Sequence, residues 1–249
     1  MFNFIKKIPL IKYYYRIKLK LWACFNLSPK ILIANTNYEI SAHNWQVAIP
    51  CRIDTTKIIF EGKVPKKARM IYEPIELPIF EKFIKNKNCF FDIGCNIGYY
   101  SHIAAAYGVK KIVAFEFMPE YSKFAQKSFF ENKIPVQMIN RGVGDPIKKL
   151  NYGDPLAQFS NNNLVSLDNF AFENNIYPDF IKMDIEGSEF DALKNAHEVL
   201  SKKPDLNISV HPLYLNDRGQ DTKDLFNLLD SYGYKIIWSG GDTYFMSAK

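Results

Sequence analysis

From Glu73 onward the chain alternates short, uninterrupted apolar runs with amphipathic stretches, and the elements can be read from that alternation. A helix over Ile75–Lys85 leads to an apolar strand, Cys89–Ile93. Next come a helix at Ile97–Tyr107, a strand at Lys111–Phe115, a helix at Pro119–Asn132 and a strand at Val136–Ile139. After a polar stretch the pattern predicts a strand at Phe180–Asp184, a helix at Ser188–Leu200 and a strand at Leu206–Val210. A helix at Thr222–Tyr232 and two β runs, Tyr234–Ser239 and Thr243–Ser247, close the chain. Continuous apolar strands between amphipathic helices mean a parallel sheet covered on both faces. The last two runs, joined by Gly240-Gly241-Asp242, read as a hairpin. The expected fold class is therefore α/β, a doubly wound sheet of seven strands, one of them antiparallel.

The first 70 residues follow a different pattern. Residues 1–28 read as a basic, aromatic helix interrupted by Pro9 and closed before Pro29. Phe4, Ile8, Ile11, Tyr15, Leu19 and Trp22 form a narrow apolar stripe on it, flanked by lysines. Residues 30–70 carry short β-like runs at Lys30–Ala34, Trp45–Ile49 and Lys57–Glu61. The expected division is a small N-terminal accessory region, 1–70, followed by a main domain, 71–249.

Charge sharpens this division. The net charge of +6 comes from 32 basic and 26 acidic residues, and residues 1–38 hold seven of the basic ones and no acid. The remaining 25 basic residues are nearly balanced by the 26 acidic ones. A nucleic-acid-binding protein should carry its positive field on the working face, so no nucleic-acid partner is expected. For residues 1–28 three roles stay open: packing in the enzyme or a homo-oligomer, peripheral contact with an anionic membrane, and a solvated basic face. The four cysteines lack metal-ligand or CxxC spacing, no run of about 18 apolar residues exists, and lysines interrupt any secretion-type segment. The expected location is the cytoplasm, with the inner face of the membrane left open.

Open α/β sheets bind ligands at the carboxyl ends of their strands, beside the point where strand order reverses. The first predicted strand of the main domain ends in Asp92-Ile93-Gly94-Cys95-Asn96-Ile97-Gly98. Glycines there let the backbone turn tightly and approach a ligand closely. Asn96 stands where the second glycine of a dinucleotide fingerprint should be, and the leading acid favours an amino-acid tail over a pyrophosphate. Glu116 ends the second strand, 22 residues past Gly94. Its carboxylate can take two ribose hydroxyls or cap the helix that follows. Asp145, after the third strand, suits an adenine pocket or a turn equally well.

Three separated segments then resemble the FkbM family of methyltransferases: Phe91-Asp92-Ile93-Gly94-Cys95-Asn96-Ile97-Gly98-Tyr99-Tyr100-Ser101, Val113-Ala114-Phe115-Glu116-Phe117-Met118-Pro119, and Ile181-Lys182-Met183-Asp184-Ile185-Glu186-Gly187-Ser188-Glu189. The resemblance runs from about Tyr72 to His211 and includes Val165-Ser166-Leu167-Asp168-Asn169. It departs at Cys95, where alanine is usual, and at Phe117, where proline is common. It implies a class I, Rossmann-like methyltransferase fold, S-adenosylmethionine as donor, and O-methylation of a sugar in a cell-surface glycan or a related molecule. Asp92, Gly94, Asn96, Gly98 and Glu116 would then bind the donor, with Ser101, Phe117, Arg141, Gly142 and Asp184 completing the expected set.

An alcohol acceptor needs a base within hydrogen-bond reach to lose its proton. His211, after the fifth strand, is the candidate base, since imidazole titrates near neutrality; a turn residue before Pro212 is its other reading. Asp184 and Glu186 follow the fourth strand, as catalytic or substrate-binding groups or as caps of the next helix. An Asp/Glu/His cluster there could also hold a divalent metal, although the spacing does not select one. His43, His102 and His197 read as surface or packing residues. Two other functions remain open. Nucleic-acid methylation is disfavoured, because Met183-Asp184-Ile185-Glu186 replaces the Asn/Asp-Pro-Pro-aromatic motif of base-amino enzymes. A donor-binding scaffold without catalysis is the other.

Overall fold

Alternation along one strand, Cys89–Ile93 (β4), organises the whole molecule. Successive side chains of a strand point to opposite faces, so Phe90 packs with one cluster and Phe91 and Ile93 with another. The computed structural model describes residues 30–33, 38–41, 58–61, 76–146 and 164–248. The basic segment 1–28 and the Trp45–Ile49 run lie outside the described residues.

Three short strands, β1 (Lys30–Ile33), β2 (Tyr38–Ser41) and β3 (Ile58–Glu61), form an antiparallel sheet in the order β2-β1-β3. The main sheet begins after helix α1 (Leu77–Ile84). It then runs β4, α2 (Tyr99–Ala106), β5 (Lys111–Phe115), α3 (Pro119–Glu131) and β6 (Val136–Ile139). A two-stranded parallel pair, β7 (Gly142–Val143) and β8 (Leu164–Val165), precedes α4 (Leu167–Asn174) and β9 (Phe180–Met183). The remainder is α5 (Glu189–Lys194), α6 (His197–Ser201), β10 (Asp205–Ser209), α7 (Pro212–Asp217), α8 (Thr222–Ser231), β11 (Tyr234–Gly240) and β12 (Thr243–Ala248).

The seven strands lie in the order β6-β5-β4-β9-β10-β12-β11. The five from β6 to β10 pair in parallel, and β12 is antiparallel to both β10 and β11. This is the doubly wound, seven-stranded sheet that the sequence predicts. Strand order reverses between β4 and β9, which fixes where a ligand site belongs.

One face of the sheet is an aromatic layer. Phe80 of α1 lies with its ring centroid 4.5 Å from Tyr100, 5.3 Å from Phe180 and 5.5 Å from Phe90. Fully burying such a ring stabilises the fold by roughly 2–3 kcal/mol, so these contacts anchor α1 and α2 to the sheet. Phe91, Phe115 and Phe170 pack edge-on across the opposite face, beneath α4.

The expected single helix Ser188–Leu200 is two helices, α5 and α6, broken at Asn195-Ala196. The reason is a long-range cap. The Asp168 carboxylate accepts from the amides of Glu198 and Val199, both at 2.9 Å, and so starts a new helix there. The α7 turn after His211 was not predicted either.

Candidate active site

Asp92 is the penultimate residue of β4, and Glu116, Asp184 and His211 follow the carboxyl ends of β5, β9 and β10. The sheet therefore gathers residues 119 positions apart in sequence onto one rim.

The loop after β4 alternates its backbone hand. Gly94, Asn96 and Gly98 have φ of +76°, +53° and +82°. Glycine enters this region freely and asparagine is among the few other residues that tolerate it, which accounts for Asn96 in place of a glycine. The two glycines answer to the protein's own packing and not only to a ligand. A Cβ on Gly94 would stand 2.0 Å from the Asp184 carbonyl oxygen, and one on Gly98 would stand 2.3 Å from the Phe129 ring. The Phe115 carbonyl accepts from the amides of Gly94 and Cys95, which ties the loop to β5.

Glu116 completes that tie. Its two oxygens accept from the Asn96 amide at 2.9 Å and the Met118 amide at 2.7 Å, so it braces the loop and the start of α3 together. On the helix side its bond goes to the amide of Met118, the residue before the helix, so it does not cap α3 in the usual way, and each carboxylate oxygen keeps a second lone pair. Burial pushes its pKa up to about 7, against the pull of those two amides.

Asp92 is fully buried, and burial raises its pKa although Lys182 and Ser101 oppose the shift. The Ser101 hydroxyl donates to Oδ2 at 2.6 Å. Ser101, expected to touch the donor, holds Asp92 through this bond. The other oxygen, Oδ1, is buried with no hydrogen-bond partner. A buried carboxylate oxygen left unpaired is costly, and the ammonium of an amino-acid tail would satisfy it.

Arg141, also expected at the donor, donates to the Leu164 carbonyl. Phe117 packs against Gly142, where a Cβ would stand 2.8 Å from the ring and 2.7 Å from Leu164. Arg141 thus holds the wall that Phe117, Gly142 and Leu164 form.

The second half of the rim is built from the β9–α5 turn and the residue after β10. Glu186 and Gly187 have φ of +54° and +93°, a strained turn for the glutamate. Glu189, fully buried, steadies it by accepting through Oε1 from the amides of Ile185 and Gly187 at 3.3 and 3.1 Å. The same oxygen lies 2.9 Å from His211 Nδ1. His211 Nε2 lies 3.5 Å from Asp184 Oδ1 and 3.8 Å from Glu186 Oε2. Burial alone would lower the His211 pKa; hydrogen bonding and charge from Glu189, with Glu186 and Asp184, raise it overall. Asp184, Glu186 and His211 each offer one ligand atom within 4.8 Å of the others, so this cluster could hold a divalent cation.

Two residues of this site carried no functional reading in the sequence. Glu189 looks locally like an acid in the first turn of a helix. Lys182 sits inside an apolar strand, nearly buried, 3.6 Å from Asp184 and 4.9 Å above the Tyr100 ring. A lysine in such a run is itself the signal that could have found it, since a buried cation needs partners. His102 is also buried, beside Ser128 Oγ at 2.9 Å, and burial holds its pKa down to about 3. It is a packing residue, whereas His197 pairs with Tyr232 at the surface.

Residues 92–236 match the family model described as the methyltransferase FkbM domain. The chain belongs to the FkbM methyltransferase family. Its strand order is that of the class I, Rossmann-like methyltransferase fold. The match spans both halves of the rim, from Asp92 to beyond His211. No curated protein matches the chain. Among solved structures it is similar to a methyltransferase from Pyrococcus furiosus, at 16% identity over 72% of this chain and 82% of that one, TM-score 0.41. It is also similar to an rRNA methylase from Streptococcus thermophilus, at 13% identity over 72% and 98%, TM-score 0.48. A third is a SAM-dependent methyltransferase from Aquifex aeolicus, at 14% identity over 70% and 87%, TM-score 0.43. Among the described residues no helix is long and apolar enough to cross a membrane.

Proposed function

We propose that this FkbM-family methyltransferase transfers a methyl group from S-adenosylmethionine to a hydroxyl of a sugar, in a cell-surface glycan or a related small molecule. The observation that carries this reading is the direct contact between the two halves of the rim. Gly94 of the donor-type loop lies against the backbone of Asp184, which stands beside His211. The unpaired Asp92 oxygen fits the donor's ammonium, and Glu116 fits its ribose hydroxyls. When bound, S-adenosylmethionine supplies an electrophilic methyl carbon on a sulfonium.

The chain's own part is to activate the acceptor. His211 Nε2 takes the hydroxyl proton as the oxygen attacks, a contribution of about 10²–10⁴ in rate. Asp184 and Glu186 hold neighbouring hydroxyls and steady the imidazolium that results. A sugar, with several hydroxyls on one face, suits this array of acceptors. The FkbM resemblance points to the same substrate class, whereas the fold by itself selects none.

Mass spectrometry of surface glycans with and without the gene tests the reading. A species should lose a 14-dalton increment when the gene is deleted. An unchanged glycan profile, together with label transfer from S-adenosylmethionine to RNA in vitro, would overturn it. Donor binding without turnover on any acceptor would favour the scaffold reading.

The 4.8 Å grouping of Asp184, Glu186 and His211 favours one second reading, in which a divalent cation acidifies the hydroxyl. Turnover unaffected by EDTA removes it; loss of turnover restored by added Mg²⁺ or Mn²⁺ supports it.

A further inference from the structure

Glu189 is fully buried in the first turn of α5, and it reaches His211. Its Oε1 collects three nitrogens: the amides of Ile185 and Gly187 and His211 Nδ1. Its Oε2 is buried with no hydrogen-bond partner. An oxygen that already accepts from two amide N–H groups is an acceptor toward the imidazole as well. The shared proton therefore sits on Nδ1.

We infer that Glu189 is a positioning residue that fixes neutral His211 in its Nδ1–H tautomer and presents Nε2, with its lone pair, to the acceptor hydroxyl. The inference rests on the reading of His211 as the base. Nε2 makes no direct hydrogen bond to its neighbours, since 3.5 and 3.8 Å to Asp184 and Glu186 exceed that range. A free neutral imidazole has either tautomer available, and only one leaves Nε2 able to take a proton. The ring is also held in orientation. Gly187 admits Tyr214 of α7 so closely that a Cβ there would meet the Tyr214 Cβ at 2.3 Å. This contact and the Glu189–His211 bond fasten the segment after β10 to the turn after β9.

The test reads the tautomer directly. Protein labelled with ¹⁵N-histidine gives four imidazole spin systems, and His211→Gln identifies the relevant one. In long-range ¹H–¹⁵N spectra at pH 9, His211 should show a protonated Nδ1 and an unprotonated Nε2. Glu189→Leu should shift the ring toward the Nε2–H form. It should also lower kcat by on the order of 10²–10³, with the KM for S-adenosylmethionine unchanged within about twofold. Glu189→Gln keeps an acceptor oxygen, so it should retain the Nδ1–H signature and recover at least about tenfold of the lost turnover. A wild-type spectrum with the proton on Nε2 overturns the inference, as does full turnover in Glu189→Leu. Should the leucine variant fail to fold, the wild-type and Glu189→Gln spectra still decide. The spectra need no turnover, so an Nδ1–H signature in a protein that methylates no sugar would sink the proposed function and leave the pairing standing.

Discussion

Lys182 is the Cα partner of Asp92 across the parallel β4–β9 ladder, and both side chains are buried on the same face of the sheet. The lysine also reaches Asp184 at 3.6 Å, so one cation serves the donor half of the rim and the acceptor half. Removing one partner of a buried charge pair leaves the other uncompensated, at a cost of about 3–5 kcal/mol. Lys182→Met should therefore lower urea-unfolding stability by about 3 kcal/mol and weaken donor binding. A stability change below about 1 kcal/mol would mean that Asp92 and Asp184 do not depend on it.

Glu116 gives donor binding a pH dependence. Its pKa is raised from 4.5 to about 7, so the folded, ligand-free protein holds a proton that the unfolded chain releases. The sign follows: the Glu116 contribution to stability falls as pH rises from about 4.5 to about 7. Accepting ribose hydroxyls favours the ionised form. Donor affinity, measured by calorimetry with S-adenosylhomocysteine, should accordingly rise between pH 5.5 and pH 8. Glu116→Gln should flatten that rise and weaken binding by roughly tenfold to a hundredfold, since it removes charge-assisted bonds.

Replacing His211 by alanine should separate binding from transfer. Its ring partners are Glu189, Asp184, Glu186 and Tyr214, so S-adenosylmethionine affinity should hold within about threefold while transfer slows by roughly 10²–10⁴. Near-normal turnover of the alanine variant would reject it as the base.

Gly94→Ala tests the contact between the two halves of the rim. The added methyl would meet the Asp184 carbonyl oxygen at 2.0 Å, at a backbone φ of +76° that L side chains rarely adopt. Something in the backbone must shift, so a stability loss above about 2 kcal/mol and loss of turnover are expected. Thermal melts and activity assays read both, and a stable, active variant would mean that the rim tolerates separation there.

Asp168→Ala should act on the fold alone. It removes the cap from the amides of Glu198 and Val199, neither of which contributes a side chain to the rim cluster. The expected loss is about 1 kcal/mol of stability with kcat unchanged. A drop in kcat without a stability change would contradict the capping role.

Much of this protein was legible in its residues. The strands β4, β5 and β6 fall where apolar runs predict them: β4 and the inner part of β5 are covered on both faces and are almost wholly apolar, whereas β6, at the sheet edge, admits an exposed Gln137. The loop Asp92–Gly98 was also legible, because Gly, Asn and Gly are the residue types that a left-handed backbone selects. The intramolecular partners of several site residues were not. Ser101 serves Asp92, Arg141 serves the Leu164 carbonyl, and Gly94 makes room for Asp184. Each of those partners is set by packing between elements.

Sequence alone thus determined what neighbours along the chain decide: the periods of helices and strands, the turns, and the acids that end strands. Tertiary structure decided what depends on sheet register and docking. It paired Lys182 with Asp92 over 90 positions, gave His211 a buried acid 22 positions away, and broke a helix by a cap from Asp168. The physical reason is that local preferences act through backbone conformation. The state of a buried charge or ring nitrogen, by contrast, is fixed by whichever groups the folded sheet brings within a few ångströms.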